Sequence, residues 1–323
     1  MYVCSHVVQT LGPPSHLHSN NTQHTNMTCR IPPAHELRAA LARDGFVRIP
    51  QALAVDQLER YRKAASRAAE RARAGQWPYV RTLPKQFPPW PLHEVQQHGI
   101  WGVQHLLHPD MPEEDKEIFA ESYFSETMIT SVTSLLQCSR DDLVLELYNM
   151  LVRPDRDFAL RWHRDDIPPD VTPEQEEERL REPMMHAQWN MALYPDSSLV
   201  VVPGSHKRAR TDMERNADPY EDDMPGQKVV KMEPGDVIFY INNILHRGVY
   251  DSQTERMTLH GTMGLKGADP ARARNILQHG IGSWAARADF SGLPGDMAKL
   301  AVGMQERLLD MGSGEDVGFS QTD

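Results

Sequence analysis

Leu143-Val-Leu-Glu-Leu-Tyr-Asn-Met-Leu-Val152 is followed by the turn Arg153-Pro-Asp-Arg-Asp157 and then by Phe158-Ala-Leu-Arg-Trp-His163-Arg-Asp165. The first ten residues have no helical period. They are dominated by apolar, β-branched and aromatic types and stop at a proline turn, so they read as a strand, and residues 158–163 as the strand that follows. Similar runs recur at 186–194, 199–202, 228–232, 237–241 and 256–263, and Glu233-Pro-Gly-Asp236 forms a Pro-Gly turn between two of them. The part N-terminal to 142 has a different character. Residues 34–43 are helical by period and end at Asp44-Gly45, and Phe46–Ile49 is a short strand stopped by Pro50. Asp56-Gln-Leu-Glu59 reads as a capping box for a helix reaching Gly75, and a helix over about 113–136 carries Glu113, Glu114 and Asp115 in its first turn. Residues 293–311 form a last amphipathic helix through Met297, Leu300, Met304 and Leu308. Helices first and many short strands afterwards predict an α+β chain whose β part closes as a sandwich or barrel.

The bulk properties narrow the function classes. Acidic residues number 45 against 34 basic ones, a formal net charge of −11, which is the wrong sign for a nucleic-acid partner. No apolar run approaches the roughly 18–20 residues that span a bilayer. Cys4, Cys29 and Cys138 are scattered and make no Cys-x-x-Cys spacing, which speaks against a disulfide framework and points to a reducing, cytoplasmic setting. Residues 1–30 are rich in Asn, Thr, Ser, His and Pro and lack the basic and apolar regions of a signal peptide, so they are expected to be disordered, with Met27 an alternative start. The expected division is a disordered segment 1–30, one functional domain 31–292, and a C-terminal helix and tail 293–323. Residues 76–110, rich in Pro, Trp and Tyr and without period, read as a long irregular segment suited to the wall of an apolar pocket. The basic face of the 56–75 helix, the acidic stretch 174–182 and the trio Lys207, Arg208 and Arg210 all read as solvated surface.

The chemistry is concentrated at strand ends. Residues i and i+2 of a strand share a face, so His163 and Asp165 can bind one ion together while Arg164 points away. One imidazole and one carboxylate are two of the three ligands of a facial triad that leaves positions open on Fe(II). Alone, His-x-Asp is equally a surface pair. Its partner is Gly235-Asp-Val-Ile-Phe-Tyr-Ile-Asn-Asn-Ile-Leu-His246, a strand ending in a second histidine, with Arg256 opening another strand ten residues later. A guanidinium reads a carboxylate bidentately and is always charged. Triad plus arginine therefore suits a dicarboxylate 2-oxo acid, chelating the metal at one end and pairing with Arg256 at the other. His206 is a rival ligand, but it follows a Pro-Gly turn, which suits a structural or pocket-rim role; His186 and His260 are further rivals, with no arginine placed behind them.

Arg43-Asp-Gly-Phe-Val47, Trp162-His-Arg-Asp165, Val202-Pro-Gly-Ser-His206, Gly235-Asp-Val-Ile-Phe239, His246-Arg-Gly248 and Arg256 occur in that order over about residues 35–265. In this the chain resembles the phytanoyl-CoA dioxygenase family of Fe(II)/2-oxoglutarate oxygenases. The resemblance implies a double-stranded β-helix, a jelly-roll barrel of the cupin type, flanked by N-terminal helices and a C-terminal helix. It also implies His163, Asp165 and His246 as iron ligands, Arg256 on the distal carboxylate of 2-oxoglutarate, and Trp189 beside the co-substrate. O2 would be consumed and succinate and CO2 released while a small-molecule metabolite is hydroxylated or otherwise oxidised. Related halogenases have Gly or Ala at the position of Asp165, so its presence here favours oxidation over halogenation. Where several members have a co-substrate-binding Ser, this chain has Gly248. Two other readings stay open: a protein-modifying oxygenase on the same barrel, and a non-catalytic barrel that only binds.

Overall fold

The computed structural model describes residues 31–90, 95–318 and 321, so the disorder expected for the first 30 residues lies outside the described residues. The chain begins with α1 (Ala34–Asp44), β1 (Phe46–Ile49) and α2 (Val55–Arg73), then β2 (Val80–Thr82), the one-turn α3 (Val95–His98) and β3 (Ile100–Val103). Helices α4 (Glu113–Tyr123) and α5 (Glu126–Leu136) precede β4 (Leu143–Val152), β5 (Phe158–Ala159), α6 (Pro173–Leu180), β6 (His186–Ala192) and β7 (Leu199–Val201). Then follow α7 (Asp212–Asn216), β8 (Lys228–Val229), β9 (Val237–Tyr240), β10 (His246–Tyr250), β11 (Met257–Leu265), α8 (Pro270–Gln278) and α9 (Gly295–Met311).

The strands form two antiparallel sheets, β1-β9-β6-β11-β4-β3-β2 and β5-β10-β7-β8, which face one another across a cavity in a double-stranded β-helix. The helices cover the outer face of the larger sheet. Tyr61, Ala64 and Ala68 of α2, Phe119 and Tyr123 of α4, Val132 and Leu135 of α5, and Met304 and Leu308 of α9 share one apolar core with Tyr148, Met150, Trp189 and Phe239 of the strands. β4 and β6 are thus covered by helices on one face and by the cavity walls on the other. β4 accordingly reads as a nearly continuous apolar run, whereas β6 alternates polar residues towards the cavity with apolar ones towards the helices.

Several elements differ from their sequence reading, each for a local reason. The single helix expected over 113–136 is two, because the Ser125 side chain accepts the Met128 N–H and starts a new helix after Phe124. α2 starts ahead of Asp56: the Gln57 side chain accepts the Ala54 N–H at 3.0 Å. The irregular stretch 76–110 contains β2 and β3, which extend the larger sheet beyond β4. The basic face of α2 is not simply solvated. Arg67 and Arg71 pair with the fully buried Asp115 in the first turn of α4, and Arg60 pairs with Glu121. Most different is the acidic stretch 174–182. It forms α6, opened by the Thr172–Gln175 capping box and Pro173, and it carries Glu176 into the interior. There Glu176 accepts from Arg164 Nε at 2.7 Å, the Arg210 N–H at 2.9 Å and Arg215 Nη2 at 2.6 Å. Arg210 is buried with it, and Arg208 makes a two-point pair with Glu214, so neither belongs to a solvated basic loop.

Candidate metal centre and cavity

The strand expected over 158–163 keeps ladder geometry only at its start, and the chain meets β10 again at His163 through an isolated bridge. His163 and His246 exchange both backbone hydrogen bonds, each at 3.0 Å. Residues paired in this way present their side chains side by side on one face, and the two imidazole centroids lie 4.3 Å apart. Two residues on, Asp165 returns to the same face and its N–H is tied to Asn242 O at 3.0 Å. Its Oδ1 stands 3.4 Å from His163 Nε2 and 3.5 Å from His246 Nε2. The three ligand atoms all lie within 4.8 Å of one another, as binding to a common ion requires.

Hydrogen bonding orients the donors. His163 Nδ1 stands 2.8 Å from Arg161 O and 3.2 Å from Gln86 Nε2, and His246 Nδ1 2.8 Å from Ile244 O. A carbonyl can only accept, so the His246 ring is held as the Nδ1–H tautomer, and the Nε2 atoms of both rings face Asp165. Burial, with the His163 ring beside it, pushes His246 down to about 4, so its ring is neutral at pH 7, the form a metal takes. Burial works against the ionised Asp165, but His246, His163 and Gln188 outweigh it and hold the carboxyl well below the ordinary range. Gln188 Nε2 donates to Asp165 Oδ2 at 3.0 Å and so leaves Oδ1 turned to the histidines. Two imidazole nitrogens and one carboxylate oxygen on one side of a point are a donor set that fits Fe(II) with positions left open.

From the triad a cavity of about 240 Å³ runs between the sheets and reaches Arg256. Arg256 Nε donates to Asp196 Oδ2 at 3.0 Å, and Asp196 also accepts from Thr258 Oγ1 at 2.7 Å and the Ser198 N–H at 2.8 Å. Burial opposes the ionised Asp196, but Arg256 and these donors hold its carboxyl below the ordinary value. The guanidinium is thereby held in place with capacity to spare. Nη1 of Arg256 and Oγ of Ser198 are sealed from solvent and have no hydrogen-bond partner among the described residues, and both residues line the cavity. Buried donors are rarely left unpaired, and two of them on one wall fit a carboxylate.

Gly248 has a structural explanation. A Cβ there would collide with the hydroxyl of Tyr250, two residues along β10 on the same face. Tyr250 lies against Arg256, whose Cζ stands 4.5 Å from the Tyr250 ring centroid. A phenolic hydroxyl therefore occupies the space into which a serine at 248 would project.

The structure brings His163, Asp165, His246 and Arg256 to one cavity, but not Trp189. Trp189 is fully buried on the opposite face of β6, against Tyr123, Tyr148 and Phe239, and its neighbours Gln188 and Asn190 face the cavity instead. His260 lines the cavity with Nδ1 on Asn190 Oδ1 at 2.9 Å, and His186 forms part of the wall. His206 turns its Nε2 to Ala42 O at 3.3 Å and has a structural role. None of the three joins the group of His163, Asp165 and His246. Gln188, Asn190, Tyr240 and Tyr250 are absent from the sequence reading. The first two were within reach of it, since alternation along His186-Ala-Gln-Trp-Asn190 puts them on the face opposite Trp189.

The fold recurs among solved structures. AviO1 from Streptomyces viridochromogenes Tue57 matches at 19% identity over 73% of this chain and 96% of its own, with a TM-score of 0.51. EctD from S. alaskensis, solved with 2-oxoglutarate and 5-hydroxyectoine, matches at 17% identity over 75% of this chain and 79% of its own, with a TM-score of 0.52. At such identities the likeness establishes the architecture. No curated protein matches the chain in sequence. The family model described as Phytanoyl-CoA dioxygenase (PhyH) matches residues 41–256, which include strands β1 to β10, the clustered His163, Asp165 and His246, and Arg256. The chain belongs to the phytanoyl-CoA dioxygenase family of non-haem iron, 2-oxoglutarate-dependent oxygenases.

Proposed function

We propose that the protein is an Fe(II)- and 2-oxoglutarate-dependent dioxygenase that oxidises a small-molecule metabolite. His163, Asp165 and His246 hold the iron, and Arg256, Ser198 and Tyr250 receive the distal carboxylate of the co-substrate. The observation that carries this reading is the pair of orphaned donors, Arg256 Nη1 and Ser198 Oγ, in the cavity that starts at the clustered triad. With 2-oxoglutarate and O2, the iron supplies the oxidising chemistry, and the co-substrate leaves as succinate and CO2. The residues of the chain provide the geometry. Arg161 O and Ile244 O orient the two imidazole rings, Gln188 orients Asp165, and Asp196 aims Arg256. Phe87 and Trp90, with both sheets, screen the reacting atoms from water.

A small substrate is favoured over a protein side chain by the way in. The cavity shares Asp166, His186, Asn242 and Arg272 with a groove of about 650 Å³ bordered by Leu180, Met184 and Met185, a partly apolar channel of small-molecule size. The scattered cysteines support a cytoplasmic setting.

The test is an anaerobic titration of Fe(II) and 2-oxoglutarate, read by the visible charge-transfer band of their chelate. Wild type should form the band, His163→Ala should lose it, and Arg256→Ala should weaken co-substrate affinity by about 10–100-fold, the worth of a charge-assisted bond. If well-folded wild type gives no band, the protein is a non-catalytic barrel.

A further inference from the structure

A third arginine lines the cavity, beside the triad and the Arg256 cradle but part of neither. Arg81 projects from β2, the strand at the far edge of the larger sheet from β1. Its register partner on β3 is Gly102, where a Cβ would meet Arg81 Cδ at 2.9 Å, so the glycine gives the long side chain room along the sheet. The guanidinium ends between two indoles, with Cζ 5.1 Å from the Trp90 ring and 5.0 Å from the Trp101 ring.

Charge matching sets Arg81 apart from the other two guanidinium groups on the wall. Arg256 has Asp196, and Arg272 has Glu146 in a two-point pair at 2.7 and 2.6 Å. Among the described residues no carboxylate forms an ion pair with Arg81, and its Nε is sealed from solvent without a hydrogen-bond partner. Burial lowers its hold on the proton, and Tyr250, Tyr240 and Asp165 oppose this only through space. Of these Asp165 is the one carboxylate, and it belongs to the metal. Stacking on indoles favours a cation but supplies no acceptor for its N–H groups, and the residue is half-buried with only its Nε sealed. Arginine keeps its charge regardless, so the cavity holds a standing positive charge with unused donors.

We propose that Arg81 receives a carboxylate of the substrate, which makes that substrate a carboxylic acid with an apolar or aromatic body. The proposal rests on the reading of the cavity as a 2-oxoglutarate oxygenase site. On that reading both ends of the co-substrate are already provided for, at the triad and at Arg256. Arg81 belongs to another wall, shared with Trp90 and with Phe87, whose ring stands 5.5 Å from the His163 ring. A molecule held by Arg81 therefore lies against aromatic surface with its body turned towards the iron side.

The experiment uses tryptophan fluorescence, since Trp90 and Trp101 flank the charge. Benzoate, phenylacetate, cinnamate and decanoate, each beside its primary amide, are titrated into the full-length protein with and without 2-oxoglutarate. At least one acid should bind about 10-fold or more tighter than its amide, the preference should vanish in Arg81→Gln, and Arg81→Lys should keep part of it. The Fe(II)/2-oxoglutarate band is measured on the same variants and should have unchanged half-saturation in Arg81→Gln. Thermal melting adds a readout: with no carboxylate to lose, Arg81→Gln should melt no lower than wild type. The proposal is overturned if no acid outbinds its amide in wild type, if the preference survives Arg81→Gln, or if Arg81→Gln weakens the co-substrate band tenfold. Absence of the band in wild type removes the oxygenase reading, while the acid-against-amide comparison still decides whether Arg81 binds a carboxylate.

Discussion

Tyr250 and Gly248 show what a single position does in this cavity. The tyrosine hydroxyl occupies the volume a side chain at 248 would need, and the ring lies against the Arg256 guanidinium. Tyr250→Phe should therefore keep the fold and weaken 2-oxoglutarate by about 10-fold, the worth of one hydrogen bond to a charged group, as measured by the chelate band. Gly248→Ser should not improve binding. It drives its Cβ into the tyrosine, so it should lower stability by about 1–3 kcal/mol in a urea titration, the usual cost of overpacking. The residues legible in the sequence were those with a rule behind them. His163 and Asp165 share a face because strands repeat every two residues, and Arg256 follows a histidine strand at a fixed remove. Trp189 came from resemblance alone, and the pleat sends it into the helical core. Arg81 carried no signal, because its meaning lies in having no partner, which only a folded chain reveals.

At the scale of elements, Arg164 links the His163–Asp165 segment to the scaffold. It sits between His163 and Asp165, points away from the cavity as the pleat requires, and is fully buried. Its guanidinium donates to Glu176 of α6, to the carbonyls of Ser205 and Arg208 at 3.1 Å each, and to the carbonyl of Asn243. Burial pulls Arg164 down to about 10 against the pull of Glu176. Burial also opposes the ionised Glu176, but the Arg210 N–H and the Arg164 and Arg210 guanidinium groups outweigh it and lower its carboxyl. Glu176→Gln leaves buried cations uncompensated and should cost about 3–5 kcal/mol. A carboxyl lowered in the folded state stabilises above its unfolded value, near 4.3, and loses that contribution as pH falls through the folded value. The wild-type advantage over Glu176→Gln in urea titrations should therefore be constant from about pH 8 to 5 and shrink only below about pH 4. An equal advantage at pH 3 would rule out the charge as its source. The helix itself was readable only in part. Thr172, Pro173 and Gln175 spell a helix start, but a run of acidic residues does not say which one turns inward.

Across the whole molecule, the same division of labour recurs. Helices bury the outer face of the larger sheet, so the inner face is free to carry polar groups, and the cavity walls hold Asn190, His260 and Gln188 between the strands. The order of helices and then strands made the architecture legible, and the stretch 76–110 was legible as a pocket wall, but its strands β2 and β3 were not, since they become strands only by adding to an existing edge. A fold with orphaned donors and an unmatched cation at its centre gives up stability until ligands arrive. Anything that binds the native state alone returns free energy as RT ln(1 + [L]/Kd), about 2.7 kcal/mol at a hundredfold excess over Kd. At about 2–4 °C per kcal/mol for a chain of this size class, Fe(II) with 2-oxoglutarate should raise the anaerobic melting temperature by about 5–10 °C. Metal alone should give part of that rise, and 2-oxoglutarate without metal a smaller part through Arg256. His163→Ala should abolish the metal-dependent part while keeping the contribution of Arg256. A shift that survives His163→Ala in full would mean that metal and co-substrate stabilise the chain somewhere other than this cavity.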